Sequence, residues 1–209
     1  MYKQILPELA RTAPDSVILV VTDPPDPLAD VVRRFGFTRV LSTGTFLDSL
    51  RFRFHVARRL QVAPVSVEAD VVGEHGRSEV FVWSSAHLDG GVRVLDVLPR
   101  AHGGREDFRF SVEREVRYAN ISITEGNDAS QYGIGMVSAR IAEIVLRDER
   151  AVVPIGSYNP TYGVTLSMPS VLGQAGVAQI LAPAMSDDER HALHRSADTQ
   201  KAAVARIEI

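Results

Sequence analysis

Three residues in the first half of the chain have the types and spacing for acid–base chemistry on a carboxylate-bearing molecule. Asp48 and Arg51 stand three apart in Phe46-Leu47-Asp48-Ser49-Leu50-Arg51, on one face of any helix formed there. His75 lies in Gly73-Glu74-His75-Gly76, with alternating apolar residues leading in (Val65, Val67, Ala69, Val71) and out (Val80, Val82). Strand periodicity that stops at a glycine-flanked histidine presents an imidazole at a strand end, with backbone freedom on both sides. Taken singly, each feature has an ordinary reading. An Asp/Arg pair at i, i+3 is usually an exposed ion pair contributing a few tenths of a kcal/mol, and a lone turn histidine is usually a loop residue. Brought together they would do more: Asp48 would orient and charge-stabilise the imidazole, and Arg51 would clamp a carboxylate with its two-pronged fork.

The elements that must position them follow from periodicity. Tyr2 to Arg11 carries Ile5, Leu6, Leu9 and Ala10 at helical spacing. Ser16 to Thr22 is a β-branched run expected as a strand buried on both faces. Asp23-Pro24-Pro25-Asp26-Pro27 is expected to end it, because proline removes donors and fixes φ. A short helix through Leu28, Val31, Val32 and Phe35, closed by Gly36, leads to a second strand at Arg39-Val40-Leu41. That order predicts a parallel α/β layer, entered partway through, since a strand so apolar expects a neighbour on each side.

From Thr45 the pattern changes, and Gly44 is the expected domain seam. Phe46, Leu47, Leu50, Phe54, Ala57 and Leu60 predict the buried stripe of a four-turn helix, with Asp48, Arg51, His55 and Arg58 opposite. Strands around His75, at Glu79 to Ser85 and at Val92 to Leu98 suggest an antiparallel meander, followed by a polar loop from Ala101 to Glu106. A helix through Phe108, Val112, Val116 and Ala119 is expected to break at Gly126-Asn127-Asp128, and a second helix to run from Ser130 to Arg147. Strands follow at Ala151 to Ile155, Val164 to Val171 and Val177 to Leu181, and Ser186 with Glu189 is a capping box for a terminal helix.

Composition removes several classes. With no cysteine there is no disulfide, thiolate metal site or cysteine nucleophile. A net charge of −3 gives no electrostatic case for nucleic acid or an acidic membrane surface. No run is long enough to cross a bilayer and no signal-peptide pattern opens the chain, so a cytoplasmic location is expected. His191 and His194 are spaced for metal, but no further ligand accompanies them, so no metal is expected.

Several ordered motifs carry a resemblance. Gly44-Thr45-Phe46-Leu47-Asp48-Ser49-Leu50-Arg51-Phe52-Arg53, then Gly73-Glu74-His75-Gly76-Arg77-Ser78-Glu79 and Val82-Trp83-Ser84-Ser85, resemble the L-lactate/malate dehydrogenase family. The likeness resumes in Arg114-Glu115-Val116-Arg117 and Ala129-Ser130-Gln131-Tyr132-Gly133-Ile134-Gly135-Met136, and ends in Ser196-Ala197-Asp198-Thr199. Gly-Glu-His-Gly with Trp-Ser-Ser is similar to the lactate branch.

The resemblance implies an α/β fold: the C-terminal part of a Rossmann-type parallel sheet over residues 1–43, then an α+β catalytic domain over 44–209. It implies NAD-dependent interconversion of L-lactate and pyruvate, or a close 2-hydroxy/2-oxo acid pair, by a dimer or tetramer. His75 matches the residue that exchanges a proton with the substrate oxygen, Asp48 its carboxylate partner, and Arg51 the holder of the substrate carboxylate. Val21 and Thr43 match contacts to the nicotinamide carboxamide, and Ile134 the apolar wall behind its ring. Ser130 stands where the lactate branch usually has a threonine lining the substrate pocket.

The departures point the other way. The glycine-rich first half of the NAD site has no counterpart in this sequence, nor has the mobile loop that separates lactate from malate specificity. Asp23 replaces an asparagine of the substrate site, and an ionised carboxylate there repels an oxo acid by on the order of 4 kcal/mol at ~4 Å in an effective dielectric near 20, unless it is protonated or pairs with His75. Arg77 replaces an acidic residue and is expected to lower the pKa of His75. Arg53 matches one half of the family's fructose 1,6-bisphosphate site, but Glu68 stands where a histidine would complete it. A non-catalytic interaction protein therefore remains the alternative reading.

Overall fold

The computed structural model describes residues 2–98 and 104–207. The first layer is α1 (Tyr2–Thr12), β1 (Ile18–Val20), α2 (Pro25–Arg34) and β2 (Val40–Ser42). β1 and β2 pair in parallel, with Ile18 opposite Val40, as a strand–helix–strand connection requires. Leu6, Val20, Ala29, Val32 and Val40 form its core.

Two expectations are corrected here. The strand foreseen over Ser16 to Thr22 shrinks to three residues and is not buried on both faces, Val21 being 41% exposed. β1 is an edge strand whose sole neighbour among the described residues is β2, so the chain beyond that short register has nothing to pair with. The proline run does not simply stop the strand. It opens α2 at Pro25, where a missing N–H costs nothing because the first turn leaves that group unpaired anyway.

α3 (Phe46–Leu60) forms as expected, with Phe46 and Ala57 of the predicted stripe buried, but its inward face is rotated away from Leu50 and Phe54. Its buried residues are Phe46, Asp48, Ser49, Phe52, Val56 and Ala57, whereas Leu50 and Phe54 are 41% and 49% exposed. Large apolar residues occur on two sides of this helix, and packing chooses between them. Phe52 and Val56 join Val71, Phe81, Trp83, Phe108 and Val112 in one core. That rotation carries Asp48 to the buried side.

Short strands follow: β3 (Val67–Glu68), β4 (Val71–Val72), β5 (Val80–Phe81), β6 (His87–Leu88) and β7 (Val92–Arg93). The single meander expected from these strands is split: β3, β6 and β7 form one antiparallel sheet, with the unforeseen β6 in its middle, while β5 leaves it to pair with β4 as a hairpin around His75. The strand expected through Ser85 ends at Phe81, and the one from Val92 gives way to a single 3-10 turn at Val94–Asp96. Of the polar loop expected from Ala101, residues 101–103 lie outside the described residues, while Arg105 and Glu106 already belong to α4 (Arg105–Arg117). α4 breaks at Tyr118, a stop the sequence does not announce, and α5 (Ala119–Asn127) ends at the expected point, with Asp128 in a left-handed conformation. α6 (Gln131–Leu146) precedes β8 (Ala151–Asn159), β9 (Val164–Gly173), β10 (Gly176–Ile180) and α7 (Asp187–Ala205), the last opened by the Ser186/Glu189 capping box.

One five-stranded sheet in the order β1-β2-β8-β9-β10 joins the two ends of the chain. β2 meets β8 antiparallel through Ser42 and Gly156. α6 covers this sheet with Val137, Ile141 and Ile144 against Leu41, Ile155 and Leu172. No helix among the described residues is long and apolar enough to cross a membrane.

Candidate active site

Buried hydrogen bonds fix the start of α3, the helix that carries Asp48 and Arg51. Thr45 N donates to Ser167 Oγ at 2.9 Å, Thr45 Oγ1 donates to the Val71 carbonyl at 2.5 Å, and Val71 N donates to Ser49 Oγ at 2.9 Å. Gly44 just before it has φ +49, and a Cβ there would lie 1.9 Å from Ser167 Oγ and 2.8 Å from Gly156 N. The chain approaches so closely that only glycine fits.

The β4–β5 loop carrying His75 is fastened at three points. Gly73 and Ser167 exchange backbone hydrogen bonds of 2.9 Å, Glu74 N donates to Ser196 Oγ at 2.8 Å, and His75 N donates to Asp26 Oδ2 at 3.0 Å. β9, α7 and α2 each supply one anchor. Held in this way, His75 places Nδ1 2.6 Å from Asp48 Oδ2. Arg51 Nη1 donates to the other oxygen of Asp48 at 3.3 Å, and its Nη2 donates to Asn120 Oδ1 at 2.7 Å. The side chains of Asp48 and Arg51 are 3% and 12% exposed. The small contribution of a surface ion pair is therefore the wrong measure, and breaking this buried pair leaves a charge without its partner.

The electrostatics around His75 oppose one another. Burial pushes its pKa down, but the hydrogen bond to Asp48, the Asp48 charge and the charges of Asp26 and Glu79 outweigh it and bring the imidazole up to about 9. The lowering expected from exposed Arg77 does not decide the outcome, since the net shift is upward and Arg77 is not among its principal causes. Asp26 is pushed up to about 6, chiefly by burial, with Ser42 and His75 pulling the other way. Glu79 also rises well above the ordinary carboxylate range, through burial and then the neighbouring Asp48 charge. Arg117 Nε stands 3.5 Å from Glu79 Oε1, in charge contact but outside hydrogen-bonding geometry.

A cavity of about 800 Å³ is lined by Asp23, Asp48, Arg51, His75, Glu79, Arg117 and Asn120, among others. A smaller one of about 280 Å³ shares Asp23, His75 and Asn120 with it and adds Val21, Thr43, Leu47, Ser130 and Ile134. Every residue singled out in the sequence for catalysis, substrate or cofactor thus lines one of two cavities that meet at His75.

Sequence reasoning overlooked three others. Asn120 accepts from both Arg51 and Ser130, the latter at 3.2 Å, and so links the two cavities. Asp26 was hidden in a proline-rich stretch that reads as a turn. Glu79 opens a strand pattern and carries no periodic signal of its own.

Among the described residues no cluster of histidine and carboxylate side chains could hold a metal. His194 instead packs against Tyr162, ring centroids 5.1 Å apart. Arg53 is already engaged by Asp70 at 2.8 Å and the Ala69 carbonyl at 2.9 Å, with Glu68 4.0 Å away.

A carboxylate–imidazole pair beside a buried arginine, on this arrangement of helices and sheet, defines a class. The family model of the lactate/malate dehydrogenase α/β C-terminal domain matches residues 45–208, and the chain belongs to that family. Among curated relatives, the L-lactate dehydrogenase of Thermus aquaticus is 40% identical over 99% of this chain and 69% of its own length. That of Deinococcus radiodurans is 40% identical over 94% of this chain and 65% of its own. The crystal structure of the minor L-lactate dehydrogenase from Enterococcus mundtii, in a ligand-bound form, superposes with a TM-score of 0.91 at 31% identity, over 99% of this chain and 68% of that one. The chain thus spans about two thirds of the length of the relatives it matches.

Proposed function

We propose that this chain carries the substrate-binding and proton-transfer part of an NAD-dependent L-lactate dehydrogenase, interconverting L-lactate and pyruvate or a close pair of 2-hydroxy and 2-oxo acids. The observation that carries the reading is the hydrogen-bonded array Arg51–Asp48–His75 in the wall of one cavity. On this reading residues 1–43 belong with the dinucleotide-binding part and 44–209 form the catalytic part, and the protein works as a homo-oligomer.

Arg51 fits the substrate carboxylate, because its planar fork makes two parallel bonds to a carboxylate and is charged at every working pH. His75, with a pKa of about 9, holds its proton at neutral pH and is poised to donate it to a ketone oxygen. With Nδ1 committed to Asp48, Nε2 is the nitrogen left to give and retake that proton. Asp48 keeps the ring in one tautomer and stabilises its charged form. NAD, when bound, supplies the nicotinamide carbon that exchanges hydride with the substrate. Val21, Thr43 and Ile134 would hold that ring beside His75, since the smaller cavity has apolar walls from Val21, Leu47 and Ile134. Ser130 would border the substrate side chain.

A second reading, a non-catalytic family member acting as an interaction protein, is favoured by one observation: among the described residues no glycine-rich phosphate cradle follows a strand. A titration tests the incomplete cofactor site that both readings share, and a fusion separates them. Calorimetric titration of the 209-residue chain with NADH is expected to give no micromolar binding. Fusing the dinucleotide-binding segment of the Thermus aquaticus relative ahead of Tyr2 is expected to yield pyruvate-dependent NADH oxidation that His75→Gln abolishes. A fusion that binds NADH but leaves pyruvate untouched would sink the enzyme reading.

A further inference from the structure

We infer that Asp26 is a positioning residue of the proton-transfer site, holding the main chain of His75 in register with Asp48 and supplying a second negative charge to the imidazolium. The inference rests on the reading of His75 as the proton donor.

Asp26 is 1% exposed, and its two oxygens are both committed. Oδ1 accepts from Ser42 Oγ on β2, and Oδ2 accepts from His75 N at 3.0 Å. The space for this arrangement comes from Gly156 on β8, where a Cβ would lie 1.8 Å from Ser42 Oγ and 2.6 Å from Asp26 Oδ1. Three segments distant in sequence therefore converge to seat one carboxylate beneath the catalytic loop.

A purely structural tie does not need a carboxylate. An asparagine of the same shape could accept from His75 N and donate to Ser42 Oγ, without the cost of burying a charge. A buried ionisable group is justified where something beside it titrates, and the group beside it is the imidazole. The charged groups around that imidazole are Asp48 and Arg51 from α3, Asp26 from α2, Asp23 after β1, Arg77 and Glu79 from its own loop, and Arg117 from α4. Of these only Asp48 bonds the ring, and only Asp26 bonds the backbone of the same residue. The effects are mutual: the Asp26 charge raises His75, and the His75 charge lowers Asp26.

The test needs no substrate, cofactor or turnover. Long-range ¹H–¹⁵N correlation spectra of the 209-residue protein follow the His75 ring as pH is raised. Asp26→Asn is expected to lower the His75 midpoint by about one pH unit while leaving the far-ultraviolet spectrum unchanged, and Asp26→Ala is expected also to speed exchange of the His75 amide. A folded Asp26→Asn protein with an unmoved midpoint overturns the inference. Should Asp26→Asn not fold, the reciprocal experiment decides. By linkage, His75→Gln must raise the Asp26 carboxyl midpoint, read by ¹³C, by the same amount. An Asp26 that titrates identically with and without His75 overturns the inference equally. Inactivity of the fused enzyme would be a separate result, bearing on the proposed reaction and not on this pairing.

Discussion

Replacing Asp48 with asparagine should make the stability of this protein respond to pH in a way the wild type predicts. In the wild type the His75 pKa rises from 6.5 to about 9, with Asp48 as the hydrogen-bonding partner and nearest charge. At about 1.4 kcal/mol per pH unit, that rise corresponds to roughly 3 kcal/mol favouring the folded state. The sign follows from linkage: a histidine whose folded pKa is raised contributes fully below its unfolded value of 6.5, and the contribution fades as pH climbs through about 9. In Asp48→Asn, burial is left with less to oppose it, and the imidazole returns to or below its ordinary range. The variant should thus be less stable than wild type by about 3 kcal/mol more at pH 6 than at pH 10. Loss of the Arg51 contact at 3.3 Å is felt at both pH values and drops out of the comparison. Urea unfolding of both proteins at the two pH values reads the difference directly. An equal cost at pH 6 and pH 10 would refute the argument that Asp48 acts on His75 through charge.

Other expectations are simpler to state. Asp23→Asn in the fused enzyme should tighten pyruvate binding at least tenfold, because a carboxylate facing a carboxylate substrate costs on the order of 4 kcal/mol before screening; an unchanged KM would refute this. Gly44→Ala should cost at least about 3 kcal/mol in urea unfolding, since the added carbon meets Ser167 Oγ and the Gly156 backbone at a positive φ. A loss below about 1 kcal/mol would show that β8 and β9 yield more readily than their packing suggests.

The sequence conveyed the chemistry better than the packing that supports it. Asp48, Arg51 and His75 stood out as candidates because their types, spacing and flanking glycines are local features, and the fold brings the three together. The inward face of α3 was not, because Leu50 and Phe54 are as apolar as Phe52 and Val56, and only contact with Trp83 and Phe108 decides between them. Asp26 was illegible for a related reason: its partners Ser42 and His75 lie 16 and 49 residues away, and nothing near it in the chain marks it as buried. The extent of β1 was overestimated because β-branched composition reports an intrinsic preference, whereas strand length depends on what lies alongside.

The three fastenings of the His75 loop also bear on how the protein acquires its site during synthesis. The Asp26 anchor is made before His75 itself, but Ser167 and Ser196 come from β9 and α7, the latter bonding Glu74 across 122 residues of chain. A nascent chain that has already emerged through Asp48, Arg51 and His75 still lacks two of the three supports that hold the imidazole against its carboxylate. His75 is held against Asp48 by all three anchors only once α7 has emerged and docked.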